Sequence, residues 1–227
     1  MKKRIALSWS GGKDCCIALD TLIQKGYEIV SLITTVPKEL GRTFGHGERT
    51  EMIKLQGEAL SIPVYFIECS YENYTDQFVK AVQTLKNQDM ITGIAFGDLY
   101  LDEHREWGEK VAISAEVEAI YPLWTKKEAS LQLLENFVDS GYEAVVVRVR
   151  EDVLDESWLG RIIDESFLHD AKKTAICPMG ESGEYHTFVY DGPLFSKRIQ
   201  LDQGELIQLE TTKKLEFKSY RLVASGK

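Results

Sequence analysis

The stretch Ile5-Ala6-Leu7-Ser8-Trp9-Ser10-Gly11-Gly12-Lys13-Asp14-Cys15 joins a short apolar run to a glycine turn. Residues 5–9 are typical of a buried strand, and the apolar positions of residues 16–25 recur at helical spacing. The pattern therefore predicts a strand, a glycine loop and a helix in immediate succession. A loop at that place exposes main-chain N–H groups at the start of a helix, which is where anions bind in many proteins.

The glycine loop has the chemistry of a phosphate site. Gly11 and Gly12 let the backbone adopt positive φ and approach a ligand closely, so that successive N–H groups can surround an anion. The following helix adds partial positive charge, Ser10 can donate its hydroxyl, and Lys13 can offset phosphate charge. The spacing matches neither G-x-x-x-x-G-K-[ST] nor G-x-G-x-x-G. We therefore expect a different kind of pyrophosphate loop, formed by Ser10, Gly11, Gly12, Lys13, Asp14 and Cys15.

Strand and helix patterns alternate beyond the loop. Strands are predicted at 5–9, 28–36, 64–68 and 91–96, and helices at 16–25, 48–60, 73–86 and 103–115. Alternation with helical segments of this length predicts an α/β fold with a doubly wound parallel sheet, covered by helices on both faces. Ligands of such sheets bind at the carboxyl ends of the strands.

The alternation changes around Tyr121-Pro122-Leu123-Trp124. Helical patterns at 126–140 and 158–170 flank a strongly apolar strand at 144–149, and short strand patterns follow at 205–209 and 215–220. We predict a nucleotide-binding domain over residues 1–124 and a smaller α+β domain over residues 125–227.

Composition narrows the classes of function. The net charge of −9 and the sequence pI near 5.1 argue against a nucleic-acid partner, because phosphate neutralisation needs clustered lysine and arginine. The four cysteines form no C-x-x-C pair, which argues against a structural zinc or iron–sulfur site. No apolar run approaches the roughly 20 residues that span a bilayer, so we predict a cytoplasmic protein without membrane contact.

Two motifs carry a resemblance to a known family. The glycine loop resembles the S-G-G-x-D-[ST] loop of the ATP pyrophosphatases, with Cys15 in the place of the hydroxyl residue. Gly180-Glu181-Ser182-Gly183-Glu184-Tyr185-His186-Thr187-Phe188-Val189, followed by Asp191-Gly192-Pro193-Leu194-Phe195, resembles the signature of the diphthine-ammonia ligase family, a branch of the same enzymes. The resemblance spans residues 5 to about 199 and implies the adenine nucleotide alpha-hydrolase fold, also called the HUP fold.

The resemblance implies a reaction and its participants. ATP would activate the carboxylate of diphthine, a modified histidine on a translation elongation factor, as an acyl adenylate that ammonia then attacks. The products would be the amide, AMP and pyrophosphate. Such chemistry calls for ATP and Mg2+ as cofactors, and a homodimer is the expected assembly for an enzyme of this size.

Several side chains are candidates for the chemistry. Asp98 follows the strand at 91–96 and could hold magnesium or take part in catalysis, or it could cap the next helix. Glu181 and Glu184 could position ammonia or the substrate's cationic group, or could belong to a solvated acidic loop. His46 could reach the nucleotide or the substrate, or lie in a flexible exposed loop. The candidates for substrate binding are His46, Gly183, Tyr185 and Thr187.

The sequence departs from the family pattern at three places, of which the first concerns a phosphate contact and the other two concern the choice of substrate more than ATP. Cys15 replaces a hydroxyl residue, His186 stands where the family usually has glutamate, and residues 100–107 diverge. Two other functions therefore stay open. One is an ATP pyrophosphatase that acts on another small molecule or on transfer RNA, and the other is an ATP-binding sensor without catalysis.

Overall fold

The computed structural model describes residues 2–38, 40–209 and 211–225. It divides into two compact units by its internal contacts. The first unit takes Met1–Ser10 and Asp14–Trp124, and the second takes Gly11–Lys13 and Thr125–Lys227. The second unit thus includes three residues of the glycine loop.

The first unit is the predicted doubly wound α/β fold. Its elements are β1 (Arg4–Ser8), α1 (Lys13–Gln24), β2 (Glu28–Pro37), α2 (Thr50–Leu60), β3 (Val64–Cys69), α3 (Tyr74–Asp89), β4 (Gly93–Ala95), α4 (Asp102–Ala115) and β5 (Glu118–Ile120). The five strands pair in parallel in the order β3-β2-β1-β4-β5. Successive strands are added on one side of β1 up to β3 and on its other side from β4 onward, so the topological switch point lies between β1 and β4. Ligands of such sheets bind beside the loops that follow the two strands at this point.

Two details of this unit differ from the sequence prediction. Helix α1 begins at Lys13, whereas the apolar pattern placed its start at residue 16, because the first helical turn is polar. The pattern also missed β5, an edge strand of three residues that carries too few side chains to show a period. The central strand β1 agrees with its apolar sequence, since Ile5, Ala6 and Leu7 are completely buried.

The second unit is an antiparallel sheet with two helices, as predicted for an α+β domain. Its elements are α5 (Ser130–Asp139), β6 (Glu143–Arg150), α6 (Glu165–Ala171), β7 (Tyr185–Asp191), β8 (Lys197–Leu209) and β9 (Thr212–Ala224). The strand order is β7-β6-β9-β8, so β7 is an edge strand. Within the described residues of the chain, no helix is both long and apolar enough to cross a lipid bilayer.

The helix predicted at 158–170 is wrong over its first half. Helix α6 begins only at Glu165, after Asp164, whose carboxylate accepts the Phe167 N–H at 2.9 Å. The preceding residues instead bond to the main chain of β6, with Val146 N–H donating to Arg161 O and Ile163 N–H donating to Ala144 O, both at 2.9 Å. The first half of β6 provides these partners, because β9 pairs only with Arg148–Arg150 of that strand, and the sequence pattern of 160–163 gives no sign of them.

Strands β8 and β9 are also much longer than the predicted 205–209 and 215–220. They form a hairpin with strands of 13 residues each. Charged and polar residues on the exposed parts of both strands interrupt the apolar alternation, so only its middle was visible in the sequence.

The close packing of α4 gives a first prediction. A Cβ atom at Gly108 would lie 2.2 Å from the Tyr121 hydroxyl and 2.9 Å from Cε2 of Phe96. We expect Gly108→Ala to lower the free energy of unfolding by about 1–3 kcal/mol through overpacking, despite the better helix propensity of alanine. Urea unfolding measures this effect.

The double variant Gly108→Ala with Tyr121→Phe is its control. Removal of the hydroxyl relieves the closest clash, so the double variant should be more stable than the sum of the two single changes predicts. A neutral or stabilising Gly108→Ala would show that the helix packs less closely than described.

Candidate active site

The backbone of the glycine loop is bound to edge strand β7. Val189 N–H donates to Gly11 O at 2.9 Å, and Lys13 N–H donates to the Thr187 hydroxyl at 3.0 Å. Gly11 has φ of +85°, which side-chain-bearing residues rarely adopt. The loop conformation therefore depends on a glycine and on two contacts with residues that lie far away in the sequence.

Lys13 reaches into the interior of the second unit. The side chain is 1% exposed, and its ammonium donates to Met179 O and lies 4.6 Å from the ring centroid of Tyr185. A buried ammonium needs such acceptors, and an aromatic face adds favourable electrostatics. The positive charge of Lys13 thus binds the loop that precedes β7, and it orders the glycine loop by that route.

The side chains at the start of α1 include two thiols. The Ser10 hydroxyl lies 3.6 Å from the sulfur of Cys15, and both Cys15 and Cys16 are buried. Burial raises the pKa of the Cys15 thiol, but hydrogen bonds with Cys16 and Ser10 lower it more, so that this pKa lies below its ordinary value. Burial and the bond to Cys15 raise the pKa of Cys16 well above its ordinary value. Cys15 is therefore the thiol that ionises first.

Asp98 lies close to the start of α1. A Cβ atom at Gly97 would be only 3.3 Å from the backbone of Asp14 and Cys15, so the chain after β4 runs against the helix terminus. Oδ1 of Asp98 is 2.9 Å from Nδ1 of His104. The carboxylate fixes the orientation of the imidazole, and it is a hard oxygen ligand of the kind that magnesium prefers.

Glu184 braces the loop at residues 176–184. The side chain is buried, and its two carboxylate oxygens accept the N–H groups of Cys177 and Ser182, each at 3.0 Å. Charge-assisted bonds of this kind are among the stronger ones in proteins. The geometry gives Glu184 a positioning role.

The other contacts of this loop agree with a rigid structure. The Tyr185 hydroxyl donates to Pro178 O at 2.6 Å, and the Arg150 guanidinium donates to Ser182 O at 3.0 Å. Gly180 and Gly183 have φ of +66° and +78°, and Gly183 N–H donates to Gly180 O at 2.9 Å. The glycines of the motif are thus required by turn geometry.

Glu181 and His46 differ from the bracing residues. Glu181 is half-buried on the turn between the two glycines. His46 is also half-buried and lies in a compact loop in which Thr43 N–H donates to Glu48 O and Glu48 N–H donates to the Thr43 hydroxyl. Glu181 stays a candidate for positioning ammonia or a cationic group, and His46 stays a candidate for contact with the nucleotide or the substrate.

The geometry brings some sequence candidates together and adds others. Within the second unit, Lys13 contacts Tyr185 and Thr187, and Gly11 accepts a hydrogen bond from Val189 on the same strand. His104, the partner of Asp98, was missed, although a histidine in the first turn of a helix six residues after a candidate carboxylate is a usable signal. Arg150 was also missed, because nothing in the apolar pattern of β6 relates it to the loop at 176–184.

Comparisons with known proteins agree with the two motifs. The family model described as diphthamide synthase N-terminal domain matches residues 2–118, and the model described as diphthamide synthase C-terminal domain matches residues 129–223. Similar proteins include the diphthine–ammonia ligase of Bos taurus, 27% identical over 90% of this chain and 85% of that protein. The protein of the same name from Homo sapiens is 28% identical with the same coverage.

Two further similarities cover smaller shares of the other protein. The diphthine–ammonia ligase of Schizosaccharomyces pombe is 28% identical over 88% of this chain but only 36% of its own length. The solved structure of the U34-tRNA thiolase NcsA from Methanococcus maripaludis, with its 4Fe-4S cluster, has a TM-score of 0.37 and 15% identity. That similarity covers 59% of this chain and 55% of the thiolase.

The bracing role of Glu184 gives a second prediction. Glu184→Gln replaces one accepting oxygen by an NH2 group, which would then face a backbone N–H. We expect the free energy of unfolding to fall by about 1–3 kcal/mol, because a buried donor loses its acceptor. Hydrogen exchange of the Cys177 and Ser182 amides should accelerate.

Glu181→Gln on the same turn is the matched control. It should leave the exchange of these two amides unchanged. Equal exchange rates in the wild type and the Glu184→Gln variant would contradict the bracing role.

Proposed function

The chain belongs to the diphthamide synthase family, and we propose that it is an ATP-dependent ligase that amidates a carboxylate with ammonia. ATP converts the carboxylate to an acyl adenylate and releases pyrophosphate. Ammonia then attacks the acyl carbon, a C–N bond forms, the bond to AMP breaks, and the nitrogen loses a proton. The observation that carries the proposal is the direct bonding of the glycine loop to the strand of the family signature.

We assign phosphate binding to the glycine loop. The phosphates of ATP meet the backbone of Gly11 and Gly12, the hydroxyl of Ser10, and the N-terminal turn of α1 with Asp14 and Cys15. Lys13 contributes by holding the loop in shape, since its ammonium is directed to Met179 O. Tyr185 and Thr187 support substrate binding in the same indirect way.

We assign Mg2+ to Asp98. Its carboxylate oxygens suit a hard cation, and Gly97 brings this residue against the start of α1. When bound, the ion would neutralise charge on the phosphates. His104 holds the carboxylate in one orientation through its 2.9 Å contact.

We assign binding of ammonia and of the acceptor, which is the substrate whose carboxylate is amidated, to the remaining candidate residues. Glu181 has the exposure and the charge to orient ammonia or a cationic group of the acceptor, and Gly183 leaves space beside it, since a Cβ atom added to this glycine would meet no atom within 4 Å. His46 is assigned to the acceptor or the nucleotide. Both carboxylate oxygens of Glu184 accept backbone N–H groups, which gives this residue a structural role. We therefore assign the catalytic glutamate to Glu181.

The proposal also covers the identity of the acceptor substrate and the oligomeric state. The relatives are named for diphthine, and we extend that substrate, carried on an elongation factor, to this chain. We also propose a homodimer, which is the commonest assembly of soluble enzymes. Light scattering would distinguish a dimer from the 25.8 kDa monomer.

Release of AMP and pyrophosphate tests the function. With Mg-ATP, ammonium and diphthine-bearing elongation factor, we expect both products to form, together with the amide. Asp98→Asn should lower the rate roughly 100-fold through loss of phosphate charge neutralisation, whereas Asp102→Asn, on the exposed start of α4, should not. AMP release that is indifferent to the elongation factor would overturn diphthine as the substrate, and no AMP under any condition would overturn the ligase.

The thiol in the phosphate loop gives a prediction about pH. Neutral Cys15 can donate to a phosphate, whereas its thiolate repels one, and its pKa is lower than usual. ATP affinity should therefore be highest below this pKa and fall as pH rises through it. Titration of ATP binding from about pH 6.5 to pH 9 measures the change.

Cys15→Ser removes the ionisable group and keeps a donor. Its ATP affinity should lack this decline, and an equal decline in both proteins would show that Cys15 does not meet the phosphates.

A further inference from the structure

Asp98 and His104 form a pair of metal-ligating side chains in the first unit. Oδ1 of Asp98 lies 2.9 Å from Nδ1 of His104, and the two side chains are 25% and 53% exposed. Asp98 lies in the loop after β4, and His104 lies in the first turn of α4. The pair is therefore accessible to small ions, at the edge of the sheet where ligands of parallel folds bind.

Helix capping does not account for the carboxylate of Asp98. The N-cap residue of α4 is Leu101, and among the described residues its side chain makes no capping hydrogen bond. The N–H groups of His104 and Arg105 donate to Leu101 O at 3.1 and 3.2 Å. The Asp98 carboxylate contacts the imidazole of His104, which is a contact between two side chains and leaves the helix terminus to the backbone.

The backbone that carries the pair is held firmly in place. Leu99, next to Asp98, is completely buried, and a Cβ atom at Gly97 would lie 3.3 Å from the backbone at the start of α1. On the other side, the Tyr121 hydroxyl donates to Arg105 O at 2.8 Å, which fixes the first turn of α4. Precise metal sites need ligands on rigid elements of this kind.

The separation of the two ligand atoms suits a shared cation. Two atoms that each lie about 2.1 Å from one octahedral ion, in adjacent positions, are about 3.0 Å apart. Oδ1 of Asp98 and Nδ1 of His104 already have this separation, at 2.9 Å. An ion can replace their hydrogen bond when the ring proton resides on Nε2, because the lone pair of Nδ1 is then available.

The charge around the pair also favours a cation. Asp102 and Glu103 are exposed in the first turn of α4. The neighbouring guanidinium of Arg105 is directed to other partners, with Nε donating to Glu109 at 2.8 Å and the guanidinium carbon 5.0 Å from the ring centroid of Trp124. Its positive charge is thereby offset, so carboxylates set the local potential.

We propose that Asp98 and His104 together bind a divalent transition-metal ion, with Nδ1 of His104 as a direct ligand. Magnesium strongly prefers oxygen ligands, whereas a site with one imidazole nitrogen and one carboxylate oxygen favours first-row transition metals. The inference rests on the proposed function for the place of the cation at Asp98. The nitrogen ligand and the class of metal go beyond that function.

Manganese binding tests the site without ATP or turnover. When Mn2+ is added to the full chain, the electron paramagnetic resonance signal of the free ion should fall as the site fills. Mg2+ should displace the bound ion only at roughly 100-fold excess or more, because it gains little from the imidazole. Pulsed measurements on the bound Mn2+ should show magnetic coupling to a directly ligated nitrogen.

Two variants and a control assign the ligands. His104→Gln should abolish the nitrogen coupling and weaken Mn2+ binding about tenfold, and Asp98→Asn should weaken binding at least as much. His169→Gln, which replaces an exposed histidine on α6, is the matched control and should change neither the coupling nor the affinity. An unchanged urea midpoint in His104→Gln excludes misfolding as the cause of a loss.

Several outcomes would overturn the proposal. These are no binding of Mn2+ in the absence of ATP, bound Mn2+ without nitrogen coupling, coupling that persists in His104→Gln, or displacement by an equal concentration of Mg2+. The AMP assay separates this inference from the ligase itself. AMP formation with Mg-ATP in a chain that fails these tests would remove the metal site and leave the ligase, whereas nitrogen-coupled Mn2+ without AMP formation would do the reverse.

Discussion

The bonding of the glycine loop to edge strand β7 is the constraint on which the rest of the site depends. An edge strand has unpaired backbone groups, and here Val189 uses one of them to hold Gly11, while the Thr187 hydroxyl receives the N–H of Lys13. Lys13 then binds the loop before β7 through its buried ammonium. This explains why two motifs more than 160 residues apart occur in one chain: each supplies the partners that give the other its shape.

The same contacts separate residues that hold the site from residues that can act in it. The side chains of Glu184 and Tyr185 form hydrogen bonds with backbone groups of the loop at 176–184. Glu181 is half-buried on the same turn, and its role toward the substrate carboxylate is part of our proposal. Rigid support of this kind is what catalysis by positioning needs, because small displacements of a reacting group are costly.

The sequence was sufficient for the α/β fold and for the place of the glycine loop between β1 and α1. Apolar strands such as Ile5 to Leu7 alternate with amphipathic helices, and that pattern leaves few other arrangements. It was insufficient where tertiary partners decide the structure. Residues 160–163 follow β6 instead of forming a helix, and the contact between Asp98 and His104 appears only when the loop after β4 is folded. For Glu184, the signature indicated importance but not whether it was chemical or structural.

The contact between Lys13 and Thr187 can be tested directly by the affinity for ATP and the hydrogen exchange of the Lys13 amide in Thr187→Val. Thr187→Ser keeps the hydroxyl and serves as the control. The account predicts that the valine variant exchanges this amide faster and binds ATP about tenfold more weakly, in line with the loss of a buried hydrogen bond, while the serine variant resembles the wild type. Unchanged ATP affinity in the valine variant, despite faster exchange, would contradict the claim that β7 holds the glycine loop in its binding shape.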